Sequence, residues 1–257
     1  MNKRYAGLLF LISPVVAGSS VHAATIMTDM TDAACALTDA MSSANTDTAT
    51  AGCSAGEPGL DVIELKSALI LTEEALPEIT SEITVNGNGN IVKPANDPTV
   101  GAALRVADTG QLTLNEVTVT CSAKDFSGLV ANHGTLTLHN SAVSGNMADF
   151  ADGWIYNYGT MTLNKSTISV NSTSVGSSNI SNFGTFMLTD SSICGNSGRI
   201  YNKGTFTLTR SAITGHETDS ANGGMYNYGT FTLTESTVSV NATELSVNPV
   251  ATQKIMD

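Results

Sequence analysis

The sequence predicts an all-β chain wound as a three-sided parallel β-helix, and three observations predict it. A motif recurs at a nearly fixed period, its copies alternate apolar and polar residues, and polar residues recur at fixed offsets between the apolar ones. The motif is clearest as GTFTLTESTVSVN from Gly229. Earlier copies open at Gly204 (GTFTLTRSAITGH), Gly184 (GTFMLTDSSICGN), Gly159 (GTMTLNKSTISVN) and Gly134 (GTLTLHNSAVSGN), with a looser one, GQLTLNEVTVTC, at Gly110. The opening glycines lie 24, 25, 25, 20 and 25 residues apart. Such a period marks a solenoid, whose units bury their apolar faces only by stacking on one another.

Inside each copy, Leu136 and Leu138, Met161 and Leu163, Phe186 and Leu188, Phe206 and Leu208, and Phe231 and Leu233 alternate with outward residues. Period two means a strand with one buried face. A second short strand carries Val143, Ile168, Ile193, Ile213 and Val238. A third apolar position precedes each glycine by four residues, at Val130, Ile155, Ile180, Ile200 and Met225. Three inward faces in 20–25 residues give three sides per coil, with a rise of about 4.8 Å between stacked strands.

The chain then divides in order. Residues 1–23 read as a secretory leader: Lys3 and Arg4 start it, residues 6–17 form its apolar core, and Val21-His22-Ala23 is a small-residue cleavage site. The core is too short to span a bilayer, and no later run is apolar enough. The short basic leader has a bacterial look, and the mature chain is expected outside the cytoplasm, secreted or on the cell surface. Residues 24–100 read as an N-terminal cap and first coils. Cys35 and Cys53, 18 apart in an oxidising compartment, predict a disulfide. Residues 32–43 predict a short helix with Ala36, Leu37, Ala40 and Met41 on one face. Strands are expected around Val62–Leu65, Leu69–Leu71 and Ile83–Val85. Residues 101–241 hold the repeats, and 242–257 form a tail or partial coil.

Polar residues form columns of their own. Asn132, Asn157, Asn182, Asn202 and Asn227 each stand two residues before a glycine. Asn146, Asn171, Asn196, His216 and Asn241 stand twelve after one, and Ser141, Ser166, Ser191, Ser211 and Ser236 stand seven after. Stacked amides and hydroxyls can bond from coil to coil, so these columns are expected to be structural ladders.

CALTDAMSSANTD from Cys35, GCSAGEPGLDVIEL, ITVNGNGNIV and the GGMYNYGTFTLTESTVSVN coil from Gly223 resemble the CSLREA-type β-helix proteins, and the coils are similar to repeats of polymorphic outer-membrane proteins. The resemblance spans essentially the whole mature chain. It implies a right-handed β-helix of the pectin-lyase-like kind, secreted or surface-displayed by a bacterium, mostly without assigned chemistry. The chain departs at Ala36, Thr38 and Asp39, where the family name spells Ser, Arg and Glu.

That fold also hosts polysaccharide lyases and hydrolases, which need clustered carboxylates. Asp125, Asp149 and Asp152 are the candidate catalytic acids, and Asp149 and Asp152 the candidate calcium ligands; solvated loop acids are the plainer reading. Lys124 and Arg199 are the nearest bases. The histidines have no nucleophile beside them, and Cys121 and Cys194 are expected to be buried free thiols. The net charge of −12 argues against nucleic acid as a partner. One outward surface is ordered: Thr135, Thr160, Thr185, Thr205 and Thr230, beside Thr137, Thr162, Met187, Thr207 and Thr232, with Tyr158, Phe183 and Tyr228 along the edge and Lys203 between them. Threonine arrays can bind ice or crystalline surfaces, and aromatic rows can stack on sugars or partners. The expected role is therefore a non-catalytic structural or adhesive module, without a cofactor, that presents this face to a glycan or cell-surface partner. A carbohydrate-active enzyme and an ice- or surface-binding array are the alternatives.

Overall fold

The computed structural model describes residues 23–28, 35–72, 75–94, 102–120, 128–144, 147–148, 155–169, 172–173, 178–196, 199–216, 224–240 and 253–256. Among the described residues it is a right-handed parallel β-helix with three long sheets, a small two-stranded one pairing Met147–Ala148 with Ser172–Thr173, and one helix. The broad sheet stacks ten strands, from Ala24–Met27 and Leu60–Glu64 through Thr135–His139, Thr160–Asn164, Thr185–Thr189, Thr205–Thr209 and Thr230–Thr234 to Gln253–Met256. The second sheet runs from Leu69–Leu71 to Thr237–Val240, and the third from Ala102–Val106 to Gly224–Asn227. Every pairing is parallel. The repeats stack in the register that the glycines set, with Leu136 on Met161, Met161 on Phe186, Phe186 on Phe206 and Phe206 on Phe231.

The three expected inward positions form one continuous core. Leu136, Phe186 and Phe206, Val143 to Ile213, and Val130 to Met225 are all buried, and Val238 packs partly against them. The Phe186 and Phe206 rings stack 4.8 Å apart inside it.

Each coil turns into the broad sheet at its glycine because the coils touch there. A Cβ on Gly159 would collide with the carbonyls of Gly134 and His133, and one on Gly184 with those of Gly159 and Tyr158. The glycine carbonyl meanwhile accepts the N–H of the next coil's first threonine, as in Thr160 to Gly134 at 2.8 Å. A side chain would cost that hydrogen bond.

Polar ladders satisfy the other turns. Each asparagine donates Nδ2–H to the Oδ1 of the next, from Asn132 through Asn157, Asn182 and Asn202 to Asn227, at 2.6–2.7 Å. Each of the first four also donates to a threonine carbonyl one coil on. All five are buried. The ladder has a start: Asn132 Oδ1 has no donor, because Val106 occupies its place in the preceding coil. In the serine column the N–H of Ser141, Ser166, Ser191 and Ser211 bonds the next serine's Oγ at 3.0–3.1 Å. Asn196 is buried and donates to the Ile168 carbonyl. Asn146, Asn171 and Asn241 lie outside the described residues.

At the N-terminal end a helix packs against the first strands of the broad sheet. Cys35 and Cys53 form a disulfide. The helix is Leu37–Thr46, later than the sequence suggests, because Ala36 is extended and serves as its N-cap; it buries Leu37, Ala40, Met41, Ser43 and Ala44. Two strands at the ends of the broad sheet had no sequence signal. Ala24–Met27 pairs with Leu60–Glu64, and Gln253–Met256, within the expected tail, pairs with Thr230–Thr234. Cys194 corrects an expectation. It is a free thiol, but half-exposed, since period two turns Ile193 inward and Cys194 outward beside Ser169 and Thr214. Cys121 lies outside the described residues.

Candidate binding surface

The broad sheet turns a lattice of hydroxyls outward. Thr135, Thr160, Thr185, Thr205 and Thr230 stand in register, and so do Thr137, Thr162, Met187, Thr207 and Thr232. All are exposed or half-exposed. Parallel pairing fixes the spacing at about 4.8 Å along the stack and roughly 6.6 Å across it, the latter being two residues of strand. Thr84 and Thr113 extend the second file toward the cap.

An aromatic stripe borders this lattice where the third sheet turns into the broad one. The His133 and Tyr158 rings stack at 4.8 Å, Tyr158 and Phe183 at 4.9 Å, and tilted contacts continue through Tyr201 to Tyr228. Tyr156, Tyr201 and Tyr226 stand in register one row away, separated by Ser181. All five tyrosines after residue 22 therefore lie along one edge. Tyr158 is 49% and Tyr228 51% exposed. Lys203 bridges the break in the stripe, its Nζ 5.6 Å from the Tyr201 ring centre. Because Tyr158 is sandwiched between His133 and Phe183, both of its faces are covered. It offers a ligand its edge, so flat stacking of a sugar on this ring, as the sequence suggested, has no face to use. Arg199 lies over Tyr226.

A third column borders the other side and carries no single residue type. Glu116, Asn140, Lys165, Asp190, Arg210 and Glu235 turn the broad sheet into the second sheet, all left-handed with φ between 46° and 54°. Their N–H groups, from Glu116 to Arg210, bond carbonyls one coil on, which offsets the strain of that conformation. From Lys165 to Glu235 the charges alternate. Arg210 grips Asp190 through two hydrogen bonds of 2.7 and 2.8 Å. These bonds hold the Asp190 carboxyl below its ordinary pKa, with Lys165 adding to the effect, and raise that of Arg210. A shallow open depression follows the corner, bordered by Lys165, Asp190, Arg210 and Glu235 and by Thr167 and Ser192, whose hydroxyls are 3.2 Å apart.

The candidate acids Asp125, Asp149 and Asp152, and Lys124, lie outside the described residues. Among the described residues no three His, Cys, Asp or Glu side chains gather as a metal site. Nor is any helix there long and apolar enough to cross a membrane. His133 is 3.9 Å from Asp108 at an exposed position, and His139 is an outward strand residue in register with Asn115 and Asn164. No family model matches the chain, and no curated protein or solved structure does either.

Proposed function

We propose that this protein is an exported, non-catalytic binding solenoid that holds a neutral, hydroxyl-rich polymer, a cell-surface or matrix glycan, along its threonine lattice and aromatic stripe. The observation that carries the proposal is the register: five coils repeat Thr-x-Thr, or Thr-x-Met at Met187, beside an edge that collects every tyrosine after residue 22. A charge-poor surface of evenly spaced hydroxyls matches a chain of evenly spaced hydroxyls, and aromatic edges supply apolar contact. The net charge of −12 repels polyanions and leaves neutral glycans as the compatible polymer. Export by the leader, surface display by a bacterium and kinship with the CSLREA-type proteins belong to the same proposal.

The test is co-sedimentation with a panel of insoluble polysaccharides, with and without calcium, while new sugar ends are assayed in the supernatant. Binding without release is the expected result. Calcium-dependent release that Asp149→Ala or Asp152→Ala abolishes would make the protein a polysaccharide lyase or hydrolase instead. The registered threonine files also favour a second reading, an ice- or crystal-binding face. In that case Thr207→Tyr abolishes inhibition of ice growth while the fold survives.

A further inference from the structure

The broad sheet's inward file is apolar in coil after coil: Ile83, Leu112, Leu136, Met161, Phe186, Phe206 and Phe231. At the capped end the same file holds Asp61, directly below Ile83 and directly above Ala24. Asp61 is fully buried. Its Oδ1 accepts the Glu57 N–H at 3.0 Å, whereas its Oδ2 has no partner. Gly56 leaves room for that oxygen, since a Cβ there would collide with it. Burial raises the carboxyl's pKa, and the charges of Asp47 and Glu57 raise it further. Only the N–H groups of Glu57 and Ala24 oppose the rise, and the Ala24 N–H does so without completing a hydrogen bond to Oδ2. A buried carboxyl with an idle oxygen, in an apolar file, must either keep its proton or meet a cation.

Ala24 is the residue that a leader cut after Ala23 would leave at the N-terminus. We propose that Asp61 is the receptor for the α-ammonium of Ala24, and that removal of the leader completes the N-terminal cap. The inference rests on reading residues 1–23 as an export leader. Hydrolysis of the Ala23–Ala24 peptide bond consumes one water: its hydroxyl stays on the Ala23 carbonyl carbon and its proton goes to the Ala24 nitrogen. That amine takes a second proton from solvent near neutral pH. An amide with one N–H becomes an ammonium with three, beside the carboxylate that lacks a donor. Before the cut the cap holds an uncompensated buried acid, and after it an ion pair. The cap is therefore weaker in the precursor, which suits a chain that must cross a membrane before it folds.

The signs follow from linkage. Pairing raises the α-amine's pKa above its ordinary value of about 7.7–8.0, so its contribution is complete below that value and is lost as pH rises through the raised one. Pairing also opposes the rise that burial, Asp47 and Glu57 impose on the Asp61 carboxyl, and the ion pair is lost as pH falls and that carboxyl takes up its proton.

The experiment expresses the full-length chain in an exporting bacterium, maps the N-terminus of the product by mass spectrometry, and follows acylation of its α-amine by an amine-reactive ester from pH 6 to pH 10. The expected product begins at Ala24. Its α-amine titrates at least one unit above the ordinary value and reacts at least about sixfold more slowly at pH 7.5 than that of the Asp61→Asn protein. Should Asp61→Asn fail to fold, the wild-type profile still decides, because an ion-paired amine titrates above the ordinary value and a merely buried one below it. An Ala24 terminus with an ordinary or lowered pKa overturns the pairing. A terminus elsewhere overturns the cleavage reading on which the pairing rests.

Discussion

Gly184 and Asn182 sit two residues apart and answer for different halves of the same turn. Gly184→Ala drives a methyl into the Gly159 and Tyr158 carbonyls, which belong to the backbone and have no room to yield. We expect a loss of about 3 kcal/mol in urea unfolding, near the upper end for single substitutions. Asn182→Ala leaves the Asn202 Oδ1 and the Thr205 carbonyl short of a donor in a buried place, for about 2–3 kcal/mol by the same assay. Asp190 and Arg210 behave differently because both are exposed. Arg210→Gln returns the Asp190 carboxyl upward toward its ordinary pKa, which a carboxyl NMR titration reads. Whatever the pair adds to stability is present above the unfolded value of about 3.9 and disappears as pH falls through the lowered folded value. The asparagine and serine ladders were legible because each residue type recurs at one offset from a glycine. The left-handed column was not, because Glu, Asn, Lys, Asp, Arg and Glu share only a backbone angle. Asp61 was hidden for a related reason: LDVIEL lacks the clean apolar alternation that shows which residues point inward.

Among the elements, the helix Leu37–Thr46 is the one whose loss opens the core. It covers the first strands of the broad sheet and is tied to the following loop by Cys35–Cys53. Reducing that disulfide should cost about 3 kcal/mol by the chain-entropy model for its 18-residue separation, read as a shift of the urea midpoint with and without reductant. The pairing and the helix were legible from the cysteines and the apolar face of ALTDAM. The start of the helix was displaced, since its N-cap is Ala36, whose side chain makes no cap hydrogen bond. The end strands Ala24–Met27 and Gln253–Met256 were illegible because they lie outside the repeat, and short strands gain their identity from the neighbour they pair with. The aromatic stripe was visible as a row, but its self-stacking was not. Only the stack of coils brings His133, Tyr158 and Phe183 face to face, and that changes what the row can hold.

At the scale of the molecule, stability is a sum of coils and of the contacts between them. Deleting residues 184–203 moves Gly204 onto Gly159 and preserves every column. We expect a folded β-helix whose denaturant m-value falls by roughly a tenth, in proportion to the surface lost; loss of the β-sheet circular dichroism would contradict the solenoid accounting. The same additivity makes a long flat face, and the face is the basis of the functional proposal. The most direct test is a binding isotherm on the best polysaccharide of the panel for wild type and for the Tyr158→Ala/Tyr228→Ala protein, both of which should keep the native circular dichroism spectrum because these rings lie outside the core. If the stripe binds, the double variant loses affinity tenfold or more while remaining folded. Equal affinity in the two proteins would remove the stripe from the binding surface and contradict the account.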